Sequence, residues 1–386
     1  MSKITSAKVA IMPAPNASMI NDVVPLPELE PGAVLLRTIA SEVCGTDVHI
    51  WHGRLAGVPY PIIPGHVSVG EVAEVGGSAA DVDGRPLTAG DLVTFLDVHG
   101  TCGSCWFCTV AKASTRCPER KVYGITYGLA DGVLGGWSEY IYLKPGVKII
   151  RLPASVSPER FIGGGCGLPT AFHAVERGGV RLGHTVVVQG SGPVGLNAVI
   201  LAQLAGAVQV ILIGAPAIRL AMGRALGADE TLDITLTTEA ERLERVLQLT
   251  GGRGADVTIE ASGNPAALPE GMRMTRDAGV YAVAGQYTDA GETCFNPHLD
   301  FNRKHIELRA TWGTDLSHLY KAILVMGKHG DRYRWERFVT KRYGLDCTEQ
   351  ALLDVAAGKV IKAVIDPWLP PLGVQATGHG EGGLRR

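Results

Sequence analysis

The stretch Thr185-Val-Val-Val-Gln189-Gly190-Ser-Gly192-Pro193-Val194-Gly195 decides the fold. Its first half is a short apolar run that reads as a buried strand. Its second half is a glycine turn of the form G-x-G-x-x-G. An apolar segment from Pro193 to Ala205 follows and reads as a helix, and Val208–Ile213 reads as a second strand. With 50 glycines in the chain, such a pattern also arises by chance. The strand before it and the helix after it give it meaning. Gly190 permits the tight turn, Gly192 lets backbone N–H groups approach a pyrophosphate, and Gly195 allows close helix–strand packing. The helix N-terminus then faces the anion. The stretch is read as a dinucleotide site.

Outward from this turn, apolar strands and helices keep alternating. Helices are expected over Ile218–Leu226, Glu239–Leu249 and about 266–276, and strands over Val257–Glu260 and Val280–Ala284. This alternation from Leu168 to about Leu308 implies a doubly wound parallel sheet. Residues 1 to about 160 read differently. Short apolar runs such as Val34–Ile39, Val69–Val75 and Asp91–Phe95 are separated by Gly/Pro turns with no lasting helical period, which suggests a barrel-like β domain. After Trp312 come a helix from Leu316 to Gly327, a polar stretch, a helix from Thr348 to Gly358 and the strand Lys362–Ile365. The Pro/Gly-rich tail from about 370 is expected to be mobile. The expected division is 1–167, 168–310 and a return segment 311–386.

The chain has 386 residues, 46% hydrophobic and 19% charged, with a net charge of −2. That balance disfavours a nucleic-acid or anionic-membrane binder. The first residues carry no apolar core of a signal peptide. The uncharged run between His184 and Arg219 is punctuated by glycines and a proline, so it does not read as a membrane span. A cytoplasmic protein is expected, where the eight cysteines serve as ligands or free thiols.

The second strand ends at Gly214, where an NAD-specific site would carry an acid for the ribose 2′-OH. Gly214-Ala215-Pro216 supplies none, and Arg219 lies just beyond. The combination leans to NADP or dual use. The alternative is that Arg219 merely packs on the adenine or ribose.

Cys102, Cys105, Cys108 and Cys117 place four thiols within one loop-like segment. A closed structural Zn²⁺ site is the first reading. An iron–sulfur cluster and disulfides are the alternatives. Cys44-Gly-Thr46-Asp47-Val-His49 and Pro64-Gly65-His66 add a second group of metal-ligand types. Cys166, just before the dinucleotide segment, supplies a third ligand, and Cys/His/Cys with one open position is a catalytic zinc arrangement.

Together these marks resemble the zinc-dependent medium-chain alcohol dehydrogenases. They are Cys44–His49, Gly65-His66-x-x-x-Gly70, the cysteine quartet, Cys166, the Gly190/Gly192/Gly195 turn and Gly358-Lys359-x-x-Lys362, in family order over about residues 8 to 367. The resemblance implies an α/β fold with a GroES-like β-rich catalytic domain and a Rossmann coenzyme domain. It implies two zinc ions per chain, a catalytic one on Cys44, His66 and Cys166 and a structural one on the quartet. Asp47 would steady His66 from behind. Zinc would act as a Lewis acid on the substrate oxygen while NAD(P) exchanges hydride with the carbon. Thr46 would accept the proton and pass it through the coenzyme ribose to His49. Lys362 matches a basic residue near the pyrophosphate. The implied partners are a small alcohol or carbonyl substrate and further copies of the chain, as a homodimer or homotetramer.

Two departures stand out. Val67 follows His66 where the family usually has Glu, and the last gap in the quartet is one residue longer than usual. Trp51, Tyr60 and Trp137 are candidates for aromatic surface near the cleft. His52, His99 and His173 could each be read as ligands; His173 reads rather as structural, His52 either lines the cleft with Trp51 or lies on a loop surface, and Cys294 and Cys347 read as ordinary thiols. A polyol, sugar or cyclitol dehydrogenase is the nearest alternative, although Cys166 favours the alcohol type. A catalytically silent coenzyme-binding protein is the alternative from another class.

Overall fold

The computed structural model describes residues 3–371. Most of the tail expected to be mobile lies outside the described residues. Two sheets organise the chain. The first contains, in order, Val339–Tyr343, Lys362–Ile365, Val34–Val43, Ser68–Val75, Leu92–Phe95 and Ile149–Arg151, with Tyr140–Leu143 paired to the start of Val34–Val43. The second is a six-stranded parallel sheet ordered Glu230–Asp233, Gln209–Gly214, Thr185–Gln189, Ala255–Glu260, Thr275–Val283 and Glu307–Ala310. Its order reverses beside Thr185–Gln189, so a crevice opens at the carboxyl ends of Thr185–Gln189 and Ala255–Glu260.

The apolar runs explain the parallel sheet. Val186, Val187 and Val188 are fully buried because helices cover both faces. The Pro193–Leu204 helix is apolar nearly all round and is sandwiched between the sheet and the rest of the chain. Its one polar interior residue, Asn197, accepts a hydrogen bond from Trp335 Nε1 at 2.8 Å. Helix Glu239–Leu249 lies at the surface, capped reciprocally by Thr238 and Glu241.

Three elements depart from the sequence reading. A helix over Gly45–Trp51 was not expected, because seven residues are too few to show a period. The polar stretch holds a strand, Val339–Tyr343, at a sheet edge, where charged residues are ordinary. The helix from Leu316 continues to Tyr333 instead of stopping near Gly327. That glycine is a packing residue: a Cβ there would come within 3.1 Å of Ser155 Oγ. Among the described residues no helix is long and apolar enough to cross a membrane.

Candidate metal and coenzyme sites

Cys44 ends the Val34–Val43 strand and caps the Gly45–Trp51 helix. Its Sγ accepts from Thr46 N at 3.3 Å, and Asp47 Oδ2 accepts from Cys44 N at 2.9 Å. His66 comes from the loop before Ser68–Val75, and its Nε2 lies 3.7 Å from Cys44 Sγ. Cys166 opens the Gly167–Gly178 helix. The ligand atoms of Cys44, His66 and Cys166 all lie within 4.8 Å of one another. Sequence spacing alone could not bring Cys166 to the other two; the seam between the sheets does so.

The electrostatics fit a cation. The facing Cys166 thiol brings Cys44 down to about 7 despite burial, while that same contact and burial push Cys166 well above its ordinary value. Two buried thiols facing each other do not both ionise without a positive charge between them. Burial opposes charge on His66, but Cys44 and Asp47 outweigh it and hold its pKa well above the usual range. Asp47 Oδ1 faces His66 Nδ1 at 3.7 Å, beyond hydrogen-bond length, and both atoms are buried without a partner. A small ring rotation would join them.

Cys102, Cys105, Cys108 and Cys117 also fall within 4.8 Å of one another. Zn–S bonds of about 2.3 Å in a tetrahedron separate sulfurs by about 3.8 Å. Cys102 and Cys117 stand 3.7 Å apart, and Cys105 and Cys117 3.9 Å. Backbone N–H groups of Cys102 and Cys105 donate to the sulfurs of Cys117 and Cys102. Bonds from Ser104 lower Cys102 to about 6, and burial raises Cys108 to about 12. The longer last gap contains a single helical turn, Ser114–Arg116, just before Cys117. Arg116 and Arg120 lie over the Trp312 ring, tying this lobe to the segment after the parallel sheet.

A cavity of about 390 Å³ opens at the glycine turn, lined among others by Gly190, Ser191, Gly192, Gly214 and Arg219. Gly190 has φ +106°, and a Cβ on it would press into Ala261. A Cβ on Gly195 would strike the Gly190 carbonyl, whereas one on Gly192 would enter open space. These are the steric roles expected of a pyrophosphate cradle. Pro193 and Val194 begin the helix that follows. Gly214 leaves no room for a side chain, since its Cβ would meet Ser191. Arg219 is half-buried. It donates from Nη2 to Val360 O at 3.0 Å, and its Nε has no partner. Glu239, also at this cavity, is paired with Arg273.

Lys362 requires a correction. It is absent from this cavity and is not on the surface. Its amine is fully buried and paired with Glu42, because Lys362–Ile365 inserts beside Val34–Val43. Trp137 is also corrected: it is buried core, donating to Glu42 O at 3.2 Å. Trp51 bonds Ala17 O and Tyr60 bonds Ile50 O. His52 bonds Asn16, His99 bonds Tyr127 and Pro145, and His173 bonds Gly313 O and stacks on His318.

Thr46 and His49 are three residues apart on one short helix and therefore share a face. Burial lowers the pKa of His49, which keeps it neutral at neutral pH. Tyr287, missed in the sequence, reaches this face from the loop that follows Thr275–Val283. Its ring meets His49 edge-on at 5.6 Å, and Thr288 Oγ1 lies 3.5 Å from His49 Nδ1. The Tyr287 hydroxyl and Gln286 Nε2 are buried without partners. Burial and the nearby Cys44 push this phenol well up, and Thr46 partly offsets them. Glu260 fixes the segment, accepting from Ser262 N, Gly263 N and Gly285 N at 2.7, 2.8 and 3.0 Å.

Comparison with known proteins matches residues 30–154 to the alcohol dehydrogenase GroES-like domain and residues 193–326 to the zinc-binding dehydrogenase family. A 5-exo-hydroxycamphor dehydrogenase of Pseudomonas putida is 36% identical over 90% of this chain and 95% of its own. The chain belongs to the zinc-dependent medium-chain alcohol dehydrogenase family. An L-threonine 3-dehydrogenase of Pyrococcus abyssi is 30% identical to this dehydrogenase, over 92% of this chain and 97% of its own. A crystal structure of an alcohol dehydrogenase from Thermotoga maritima superposes with a TM-score of 0.88 at 32% identity, covering 94% of this chain and 99% of that one. The dehydrogenase is thus an oxidoreductase with a GroES-like part joined to a Rossmann part.

Proposed function

We propose that this dehydrogenase interconverts a secondary alcohol and its ketone, with NADP or with both coenzymes. The convergence of Cys44, His66 and Cys166 beside the Thr46/His49 face carries the reading. Those three residues would hold a catalytic zinc, and Cys102, Cys105, Cys108 and Cys117 a structural one. When bound, the catalytic zinc would polarise the substrate oxygen. The nicotinamide coenzyme would carry the hydride. Its pyrophosphate would rest on Gly190, Gly192, Pro193, Val194 and Gly195. The lean to NADP is supported by the crowded Gly214 and by the partner-free Nε of Arg219.

The chain's own residues do the rest. Thr46 Oγ1 accepts the substrate proton as its own hydroxyl proton leaves on the coenzyme side, and neutral His49 takes up the relayed proton and releases it to solvent. Asp47 holds the Cys44 backbone and faces His66. The Tyr287 hydroxyl borders the reaction space and helps close it to water. The secondary-alcohol reading is supported by two relatives, whose names specify a ring hydroxyl and the 3-hydroxyl of threonine. Residues 1–167, 168–310 and 311–386 would form the catalytic part, the coenzyme part and the return segment of a cytoplasmic homodimer or homotetramer.

The test is a screen of alcohols, polyols and ketones with NAD and NADP, following nicotinamide absorbance. Turnover of a secondary alcohol, faster with NADP than a pure NAD enzyme would allow, is the expected result. No turnover with any of them would favour a silent coenzyme-binding protein.

A further inference from the structure

Glu42 and Lys362 are charged side chains with almost no access to water, at 1% and 0% exposure. Burying two charges is unfavourable unless their geometry and further hydrogen bonds offset it. The further bonds converge on one segment. Glu42 Oε2 accepts from Cys166 N at 2.7 Å, and Oε1 lies 3.5 Å from Cys166 Sγ. Lys362 holds Oε1 from the far side and reaches Gly164 O at 3.5 Å. Between them, Gly165 has φ +47°, and a Cβ there would run into both Glu42 and Lys362. Residues 164, 165 and 166 are therefore all fitted to this pair.

The strand explains the aim. Alternation puts Glu42 on the same side as Cys44, while Val43 points into the apolar cluster with Trp137 and Ile365. Lys362 enters beside them because Ala363 pairs with Val43. Cys44 and His66 lie 22 residues apart and have Asp47 at hand. Cys166 comes from beyond both, and no side chain of its own helix caps that start. On the other side, Val67 offers His66 no carboxylate.

We propose that Glu42 and Lys362 form a buried clamp that positions Cys166, so that its thiol meets Cys44 and His66 in the geometry zinc requires. The clamp adds no net charge behind two thiolates, which Glu42 alone would do. Both are positioning residues, acting through Cys166. This inference rests on the zinc reading above.

The test compares zinc release to a chromophoric chelator from the unmodified enzyme, Glu42→Gln and the double variant Glu42→Leu/Lys362→Met. The apolar double variant preserves bulk and removes the charges, so it keeps the fold if the single variant does not. Zinc should leave the three-ligand site about 10- to 100-fold faster in both variants, since loss of a ligand's supporting contact has effects of that size. Release from the cysteine quartet should not change, and cobalt at the three-ligand site should show altered visible bands. Unchanged release and bands in folded variants would overturn the clamp alone. A single zinc per chain in the unmodified enzyme would overturn the clamp together with the functional reading beneath it.

Discussion

Replacing Arg219 with Ala should separate the two coenzymes. Arg219 borders the cavity at Gly214 with Nη2 tied to Val360 O and Nε without a partner. The tied nitrogen keeps the guanidinium in place at the cavity, where its positive charge faces an anion that enters. A charge-assisted hydrogen bond contributes about 1.5–3 kcal/mol. At about 1.4 kcal/mol per tenfold, its loss should cut kcat/KM with NADP about 10- to 140-fold. NAD has no 2′-phosphate, so its kcat/KM should fall by no more than about threefold, the loss of packing on the ribose. Initial rates against each coenzyme at saturating alcohol read both values. An equal loss with NAD and NADP would refute the reasoning, and Arg219 would then be a packing residue. The converse change is constrained by sterics. Gly214→Asp would drive a Cβ into the Ser191 side chain and to 2.8 Å from the Ser191 backbone N, so even combined with Ser191→Gly it should disrupt the turn rather than move the preference toward NAD.

Cys44→Ser should lower zinc from two ions per chain to about one, measured by metal analysis; two retained ions would break the two-site assignment. Tyr287→Phe keeps the ring against His49 and removes the hydroxyl, so kcat/KM for alcohol should fall about 3- to 10-fold with zinc content unchanged; an unaltered rate would remove Tyr287 from the reaction space. Asp315 caps the Leu316–Tyr333 helix, and His318 at 3.0 Å holds its carboxyl well below the usual carboxylate range. Because folding depresses this pKa, its contribution is complete above about pH 4 and fades as the pH falls further. Asp315→Asn, which still caps, should lower Tm by about 1–2 °C at pH 7, with the gap closing below about pH 4; a gap that widens in acid would contradict the sign.

The parallel sheet was legible because its strands are buried on both faces and read as unbroken apolar runs, such as Val186–Val188. The quartet was legible because its four thiols are close in sequence. Other features depend on contacts between distant residues. Glu42 looks like an ordinary strand acid until Lys362 arrives beside it, and Lys362 looks like a coenzyme contact until that neighbour is seen. Tyr287 sits in a loop with no period, and contacts from distant residues, Glu260 through Gly285 and Trp312 on Tyr287 O, hold it against His49. Two polar signals were still present: a glutamate two residues before a ligand-type cysteine, and a tyrosine just after an apolar strand of the Rossmann part.

The strand that brings Lys362 to Glu42 lies inside the first sheet, between Val339–Tyr343 and Val34–Val43. The two partners are 320 residues apart. During synthesis Glu42 and Cys44 leave the ribosome early and must wait for nearly all of the remaining polypeptide. Until then the first sheet lacks its strands beyond Val34–Val43, and Cys166 lacks half of the pair proposed to position it. If the two sites hold the metals proposed for them, capture at Cys44, His66 and Cys166 would come late in biogenesis, whereas the quartet, complete at Cys117, could load while translation continues.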